Sequence, residues 1–206
     1  MLDVISRYPV LAACEADILA AEELLIAAFR AGHKLLICGN GGSCADAGHI
    51  AGELGKGFVK KRPLSPAKRA AMAHRWPCVD PKVLDTLQDA LPVIPLDLGG
   101  PLGSAFSNDV SPDLTYAQQV LGLAREGDAL LCISTSGNSA NIVEAAGVAR
   151  ALGATVIALT GETGGQLYNI SRVTIRAPER ETYKVQELHL PIYHQICLDI
   201  EKALFA

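Results

Sequence analysis

Short apolar segments that run into glycine- or serine-rich turns, each followed by a helical pattern, constrain the fold of this chain most strongly. KLLICGN (Lys34–Asn40) leads into GGS, and ALLCISTSG (Ala129–Gly137) leads into NSANIVEAAGVARALG. Further strands are predicted at Val93–Leu98, 154–161 and 173–178. Continuous apolar runs are typical of strands covered on both faces. The alternation therefore predicts an α/β fold, in which a parallel sheet lies between layers of helices.

Long helices are predicted at both ends of the chain. Val10–Arg30 has apolar residues at helical spacing and is predicted to form one continuous helix that ends near Gly32. Residues 184–205 are predicted to form the last helix, with Pro191 inside it or at a bend. Between these ends, a helix is predicted to start near Ser43 and another to span 111–128, capped by Ser111 and Pro112.

Residues 60–92 differ from their surroundings because they are rich in proline and contain only short helical patterns. We predict a proline-rich insertion on the surface of a single domain that spans 1–206. The adjoining KGFVKKR (Lys56–Arg62) is a local basic cluster, and such a charge run is predicted to be a solvated loop.

The composition excludes several functional classes. A net charge of −4 argues against a broad basic surface for nucleic acid. No apolar run reaches the ~18–20 residues of a membrane span, and the N-terminus lacks a signal-peptide pattern. The six cysteines are scattered without a CxxC pair. We therefore predict a cytoplasmic protein with free core cysteines and no nucleic-acid or membrane partner.

Two turns have the composition of a phosphate site. GNGGS (39–43) offers Asn40 and small residues at a strand–helix junction, where free N–H groups and the helix dipole favour an anion. STSGNS (134–139) adds four hydroxyl side chains. Neither turn matches the nucleotide P-loop GxxxxGK[ST]. The first turn alone is equally typical of an ordinary serine-capped turn, whereas the second favours phosphate.

A second set of residues is suited to acid–base or metal chemistry. His49 and Glu53 lie four residues apart, on one face of the helix that follows GNGGS. They could serve a metal or a substrate carbon, or form a surface pair. Gln186 and His194 are eight residues apart, ~12 Å along a helix. They could share one metal if both leaned inward, or one could come from another subunit. His189 is predicted to be a satisfied polar residue.

Taken together, CGNGGSCADAGHIAGEL, ISTSGNSANIVEA, VIALTG and VQELHLPIYH resemble the sugar isomerase (SIS) domain. Within that family they resemble the phosphoheptose isomerase group. The resemblance implies a five-stranded parallel sheet and a homotetramer with active sites between subunits. It also implies an aldose–ketose isomerase, acting on a small-molecule phosphosugar. The implied reaction converts sedoheptulose 7-phosphate to D-glycero-D-manno-heptose 7-phosphate through a cis-enediol.

The resemblance also implies roles for individual residues. Glu53 and His194 are the implied base and acid. The implied ligands of one Zn²⁺ per subunit are His49, Glu53, Gln186 and His194. The implied substrate-binding residues are Asn40, Gly41, Gly42, Ser43, Asn108, Asp109, Ser134, Thr135, Ser136, Ser139 and Gln186.

Two positions depart from the family pattern, in which an arginine follows the glutamate by four residues. Here that position is Gly57, beside Lys56, and Tyr183 stands where the heptose isomerases have an acidic residue. The predicted insertion could add a lid. An isomerase for a different phosphosugar is therefore one alternative. Another is a non-catalytic SIS protein that binds a protein partner such as the replication initiator DnaA. That relative lacks the helix glutamate and the last histidine, and this chain has both.

Overall fold

The computed structural model describes residues 2–205, in which five parallel strands form one sheet. The strands are β1 Leu35–Gly39, β2 Val93–Pro95, β3 Ala129–Ile133, β4 Thr155–Thr160 and β5 Val173–Arg176. Their order across the sheet is β2-β1-β3-β4-β5. The chain runs from β1 outward to β2 and then crosses to β3 on the other side of β1. The topological switch point, where ligands bind in such sheets, therefore lies between β1 and β3.

Helices cover both faces of the sheet, as the apolar strands require. The α-helices are α1 Asp3–Arg7, α2 Glu15–Arg30, α3 Gly42–Gly55, α4 Pro66–Arg75, α5 Pro81–Thr86, α6 Pro101–Asp109, α7 Thr115–Leu123, α8 Ala140–Ala151, α9 Leu167–Ile170 and α10 Thr182–Leu204. Leu35 and Ile37 belong to the core under α2, α3 and α10, whereas Leu36 and Cys38 belong to the core under α7 and α8. The predicted fold class is confirmed.

The first helix differs from its prediction. Pro9–Cys14 is a 3₁₀-helix, and only Glu15–Arg30 is α-helical. The two buried residues of the 3₁₀ segment, Leu11 and Cys14, are three apart. That spacing suits a 3₁₀ turn as well as an α-helix, so the pattern could not separate the two. The C-terminal end was predicted correctly, with Gly32 at φ +83°.

The boundaries of two other predicted elements were also wrong. The strand predicted at Val93–Leu98 stops at Pro95, on an edge strand; the Leu96 N–H still donates to the Ile37 carbonyl, and the Asp97 N–H donates to the Gln119 side chain instead of the sheet. The helix predicted over 111–128 is a short 3₁₀ turn at Pro112–Leu114 followed by α7, and the Ser111 side chain makes no capping hydrogen bond. Helix α6 was not predicted. Pro191 lies inside α10, as expected.

The basic cluster at Lys56–Arg62 is not wholly solvated. The side chain of Arg62 is fully buried, and its Nε donates to Glu201 Oε1 at 2.7 Å. The charge-run prediction failed at this residue because a buried carboxylate on α10 pairs with it. Whether 60–92 is an insertion stays a prediction.

All six cysteines are free, and the sulfurs of Cys38 and Cys132 lie 3.8 Å apart in the core. Within residues 2–205, no helix has both the length and the apolar character needed to span a membrane.

Candidate active site

The turns that follow β1 and β3 line one cavity of about 240 Å³ at the switch point, which we call the turn cavity. The predicted residues that line it are Asn40, Gly41, Gly42, Ser43, Ser134, Thr135, Ser139 and Gln186. Ile133 and Thr182 complete the lining and were not predicted. Apart from Ile133, every lining side chain is polar and uncharged or is glycine. The cavity can therefore accept an anion through hydroxyl, amide and backbone N–H groups.

Local contacts hold the two turns in place. Asn40 and Asn141 exchange two amide hydrogen bonds of 2.9 Å, which join the turn after β1 to the start of α8. The hydroxyl oxygens of Ser134 and Ser139 lie 3.1 Å apart. Gly137 has φ +67°, and a Cβ there would overlap the carbonyl oxygen of Gly164. The cavity is thus built into the backbone before any ligand enters.

Gln186 reaches the cavity from α10 because Gly42 has no side chain. A Cβ on Gly42 would lie 2.6 Å from Nε2 of Gln186. Thr182, one turn earlier on α10, lines the same cavity. The start of α10 therefore closes the cavity against the start of α3.

Farther along the same two helices, His49, Glu53 and His194 form a second group, the His/Glu cluster. His49 Nε2 lies 3.3 Å from Glu53 Oε1, and the His49 and His194 rings meet edge to face with centroids 5.0 Å apart. Lys56 Nζ is 3.2 Å from the other Glu53 oxygen. His49, the first residue of the cluster, is six residues beyond Ser43, which is ~9 Å along α3.

The His194 ring is enclosed by aromatic neighbours. It contacts Tyr193 and Phe58, and its Nε2 is buried without a hydrogen-bond partner. Burial lowers the pKa of His194, and the neighbouring His49 lowers it further, although Glu53 acts in the opposite direction. The neutral imidazole is thereby favoured, which can both accept and donate a proton.

Two further residues contact the cluster and were not predicted. Tyr193 lies 2.9 Å from His49 Nδ1 and donates to Asp46 Oδ1 at 3.3 Å. Burial raises the pKa of Tyr193, and Asp46 raises it further, so the phenol stays protonated. Burial also raises the pKa of Asp46, against the hydrogen bond from Tyr193 and the charge of His49. The spacing of Asp46 and His49 was visible in the sequence, whereas the approach of Tyr193 depends on how α10 packs on α3.

Some predicted residues lie elsewhere in the described chain. Asn108 and Asp109 are exposed at the end of α6 and hydrogen bond to each other. Ser136 is exposed and accepts a bond from the Asn138 N–H, and it does not line the cavity. His189 is fully buried beside the Thr160 carbonyl, and burial lowers its pKa to about 4. The expectation of a satisfied polar residue at 189 is met at Nε2 only, because the buried Nδ1 has no hydrogen-bond partner.

The departure at Gly57 has a steric cause. A Cβ at this position would overlap the carbonyl oxygen of Lys60, because the loop after α3 turns back on itself. Arg62 enters from that loop instead and donates to the carbonyls of Leu54 and Glu53 at the end of α3. Tyr183 is exposed and does not line the cavity.

The His/Glu cluster fits a divalent metal by donor type but not by arrangement. Two imidazoles and a carboxylate suit zinc, and the buried His194 Nε2 lacks a partner. In the part of the chain that the structure describes, however, no three His, Cys, Asp or Glu side chains are placed to hold an ion together. Gln186, the fourth predicted ligand, lies at the turn cavity instead.

The sheet order and the cavity at its switch point define a doubly wound α/β protein with a polar ligand site. The SIS domain family model matches residues 6–79 and 90–161. The chain therefore belongs to the SIS domain family, and the resemblance found in its motifs is confirmed.

Several proteins that match this chain are named phosphoheptose isomerases. A phosphoheptose isomerase of Mycobacterium tuberculosis is 39% identical over 189 residues, covering 91% of this chain and 82% of that protein. One from Shewanella is 35% identical over 192 residues, covering 92% and 84%. The solved phosphoheptose isomerase of Neisseria gonorrhoeae matches with a TM-score of 0.76 at 30% identity, covering 97% of this chain and 94% of that one.

Proposed function

We propose that this protein is an aldose–ketose isomerase that converts sedoheptulose 7-phosphate to D-glycero-D-manno-heptose 7-phosphate. The observation that carries the proposal is the pairing of an uncharged, hydroxyl-lined cavity with a His/Glu cluster on the same helix, α3. The named relatives support the phosphosugar isomerase class. The particular heptose and the mechanism are parts of the proposal.

The turn cavity binds the phosphate end of the substrate in this proposal. Ser43, Ser134 and Ser139 are placed to donate hydrogen bonds, and the N-terminus of α3 contributes backbone N–H groups. Asn40 and Gln186 also line this cavity and would contact the sugar. Because no lysine or arginine lines the cavity, the phosphate is held by dipoles rather than by a counter-charge.

The His/Glu cluster performs the proton transfers. A carboxylate such as Glu53 removes the proton from one carbon and returns it to its neighbour, which interconverts ketose and aldose through a cis-enediol. His194 moves the second proton between the two oxygens as a neutral imidazole, the form that its lowered pKa favours. Lys56 Nζ lies 3.2 Å from a Glu53 oxygen and would hold the carboxylate in position until substrate binds.

One Zn²⁺ per subunit is a separate part of the proposal. His49, Glu53, Gln186 and His194 are the proposed ligands, and a bound ion would polarise the substrate carbonyl. The donor types of the cluster support this, although Gln186 lies apart from it within one chain. Metal analysis of the purified protein and of His49→Gln tests it, with a zinc content that falls in the variant as the expected result.

We also propose a homotetramer with active sites between subunits. Glu53 is ten residues beyond Ser43, ~15 Å along α3, so a cavity and a cluster from different chains could meet more closely than those of one chain. Ser134→Asp and Glu53→Gln should each be inactive alone. Activity recovered when both are co-expressed would support shared sites, and none would place each site within a single chain. Light scattering gives the subunit number.

Proton NMR of sedoheptulose 7-phosphate in D₂O tests the reaction itself. A new aldose anomeric signal, with deuterium incorporated at C2, is the expected result. Glu53→Gln should lower the rate by at least ~10²-fold, and Glu187→Gln, on an exposed part of α10, should not. Turnover that survives in Glu53→Gln would refute the assigned base.

Other phosphosugars are the main alternative, because Gly57 and Tyr183 depart from the family pattern. A panel of ketose phosphates of five to seven carbons decides between them by kcat/KM. A non-catalytic protein that binds DnaA stays the second alternative, and the presence of Glu53 and His194 speaks against it. We further propose a cytoplasmic location, which the six free cysteines support.

A further inference from the structure

A chain of polar contacts runs from the interior of the α3–α10 interface to the His/Glu cluster. Asp46 accepts from the Tyr193 hydroxyl at 3.3 Å, that hydroxyl lies 2.9 Å from His49 Nδ1, and His49 Nε2 lies 3.3 Å from Glu53. Asp46, His49 and Glu53 occupy positions i, i+3 and i+7 of α3, which share one face of the helix. Tyr193 is 1% exposed and joins that face from α10.

The donors and acceptors of this chain can be assigned in order. Tyr193 has a single hydroxyl proton, which it donates to Asp46 Oδ1. The Tyr193 oxygen is then an acceptor toward His49, and the 2.9 Å contact requires a proton on Nδ1 of His49. In the neutral ring, Nε2 is left as the nitrogen with the free lone pair.

We propose that Tyr193, backed by Asp46, is a positioning residue that keeps the His49 proton on Nδ1 and turns Nε2 toward Glu53. Histidines that act through one ring nitrogen commonly donate from the other to an oxygen acceptor, which fixes both the tautomer and the ring orientation. This inference rests on the proposed function for its catalytic meaning, since it prepares the partner of the proposed base.

This placement of the proton also affects the contact between His49 Nε2 and Glu53. A neutral Nε2 and the Glu53 carboxylate both offer lone pairs at 3.3 Å, and two acceptors repel unless a proton or a cation lies between them. The site between these atoms is therefore selective for an electrophile. The Tyr193–Asp46 pair creates that selectivity from outside the site, without touching the substrate.

Nitrogen-15 NMR of the histidine rings in chelator-treated protein reads the tautomer directly. Five histidines are present, and a difference spectrum against His49→Gln assigns the signal of interest. We expect His49 to have a protonated Nδ1 and an unprotonated Nε2. His189 supplies an internal reference of the opposite kind, because its Nε2 faces the Thr160 carbonyl and must carry the proton.

Tyr193→Phe removes the acceptor without removing the ring. The expected result is a His49 signal that moves toward a mixture of tautomers, together with a ~10–100-fold fall in kcat and a smaller change in KM. Asp46→Asn should move the His49 signal and lower kcat in the same directions, by smaller amounts. Tyr168→Phe, at an exposed side chain of α9, is the matched control and should change neither readout.

A protonated Nε2 on His49 in the unaltered protein would overturn the inference, as would an unchanged tautomer in Tyr193→Phe. The spectrum needs no substrate, so it is separable from the proposed function. A protein with the expected tautomer and no isomerase activity would refute only the function, whereas active protein with the wrong tautomer would refute only the role of Tyr193.

Discussion

Replacing the buried ion pair of Arg62 and Glu201 with methionines tests what holds the loop after α3. Both side chains are almost completely buried, at 0% and 1% exposed. Glu201 also accepts from three consecutive backbone N–H groups, those of Phe58, Val59 and Lys60, at 2.8–3.0 Å. Burial alone would raise the pKa of Glu201, but these three hydrogen bonds and the one from Arg62 outweigh it and lower the pKa.

The expected magnitudes follow from what each variant leaves unpaired. Glu201→Met leaves a buried guanidinium without its counter-ion and three backbone donors without an acceptor, and should cost at least about 3–5 kcal/mol of unfolding free energy. Arg62→Met should cost less, because the carboxylate keeps its three backbone donors. In the double variant no charge is left buried. Apolar replacement of an isolated buried pair is often neutral or stabilising.

Here the double variant should remain destabilised by about 2–3 kcal/mol, since the three N–H groups still lack a partner. Urea unfolding at one fixed protein concentration gives the four free energies. A double variant as stable as the parent would refute the reasoning, because the loop donors would then contribute nothing. Because the pKa of Glu201 is lowered in the folded state, the contribution of this carboxylate to the stability of the parent should be lost as the pH falls through the acid range. The double variant has no such carboxylate and should not show this loss.

Four further substitutions have expected outcomes. Burial raises the pKa of Glu22 to about 8, so the folded state keeps a proton that the unfolded state loses, and stability falls as pH rises from about 4.5 to 8. Glu22→Gln should remove that slope in urea titrations and add on the order of 3 kcal/mol near pH 8. Gly42→Ala should displace Gln186 and raise KM with little change in stability, which kinetics and urea unfolding together would check. Gly137→Ala should cost at least about 1–3 kcal/mol because of its positive φ and the overlap of a Cβ with the Gly164 carbonyl oxygen, whereas Gly147→Ala, open to solvent on α8, should stabilise the protein by ~0.5–1 kcal/mol.

The fold was predictable because its strands are apolar on both faces and end in small residues. The first helix was harder: a proline at 9 and burial at Leu11 and Cys14 describe a 3₁₀ turn as readily as an α-helix. Helix α6 escaped prediction because PLGSAFSND contains glycine, serine and asparagine, which are weak helix formers. Its N-terminal proline was the available signal.

The candidate site was predictable where it depends on one segment. The turn after β1 and the pair His49–Glu53 are local patterns, and the switch point follows from the strand order. Contacts between α3 and α10 were not predictable, because sequence spacing gives the face of each helix but not which residues of two helices meet. That is why Gln186 was grouped with His194, although in this chain it faces Gly42.

Three contacts along α3 and α10 explain how one helix pair serves both parts of the site. Gln186 meets the start of α3, Tyr193 meets its middle at His49, and Glu201 holds the loop beyond its end. Residue numbers along α10 rise together with those of the residues they contact on α3 and beyond its end. The two helices therefore run side by side in the same direction. A change in their separation would therefore alter the cavity and the His/Glu cluster together. The buried pair at Glu201 joins α10 to the loop after α3, so we expect its loss to lower kcat in the NMR assay as well as stability in urea.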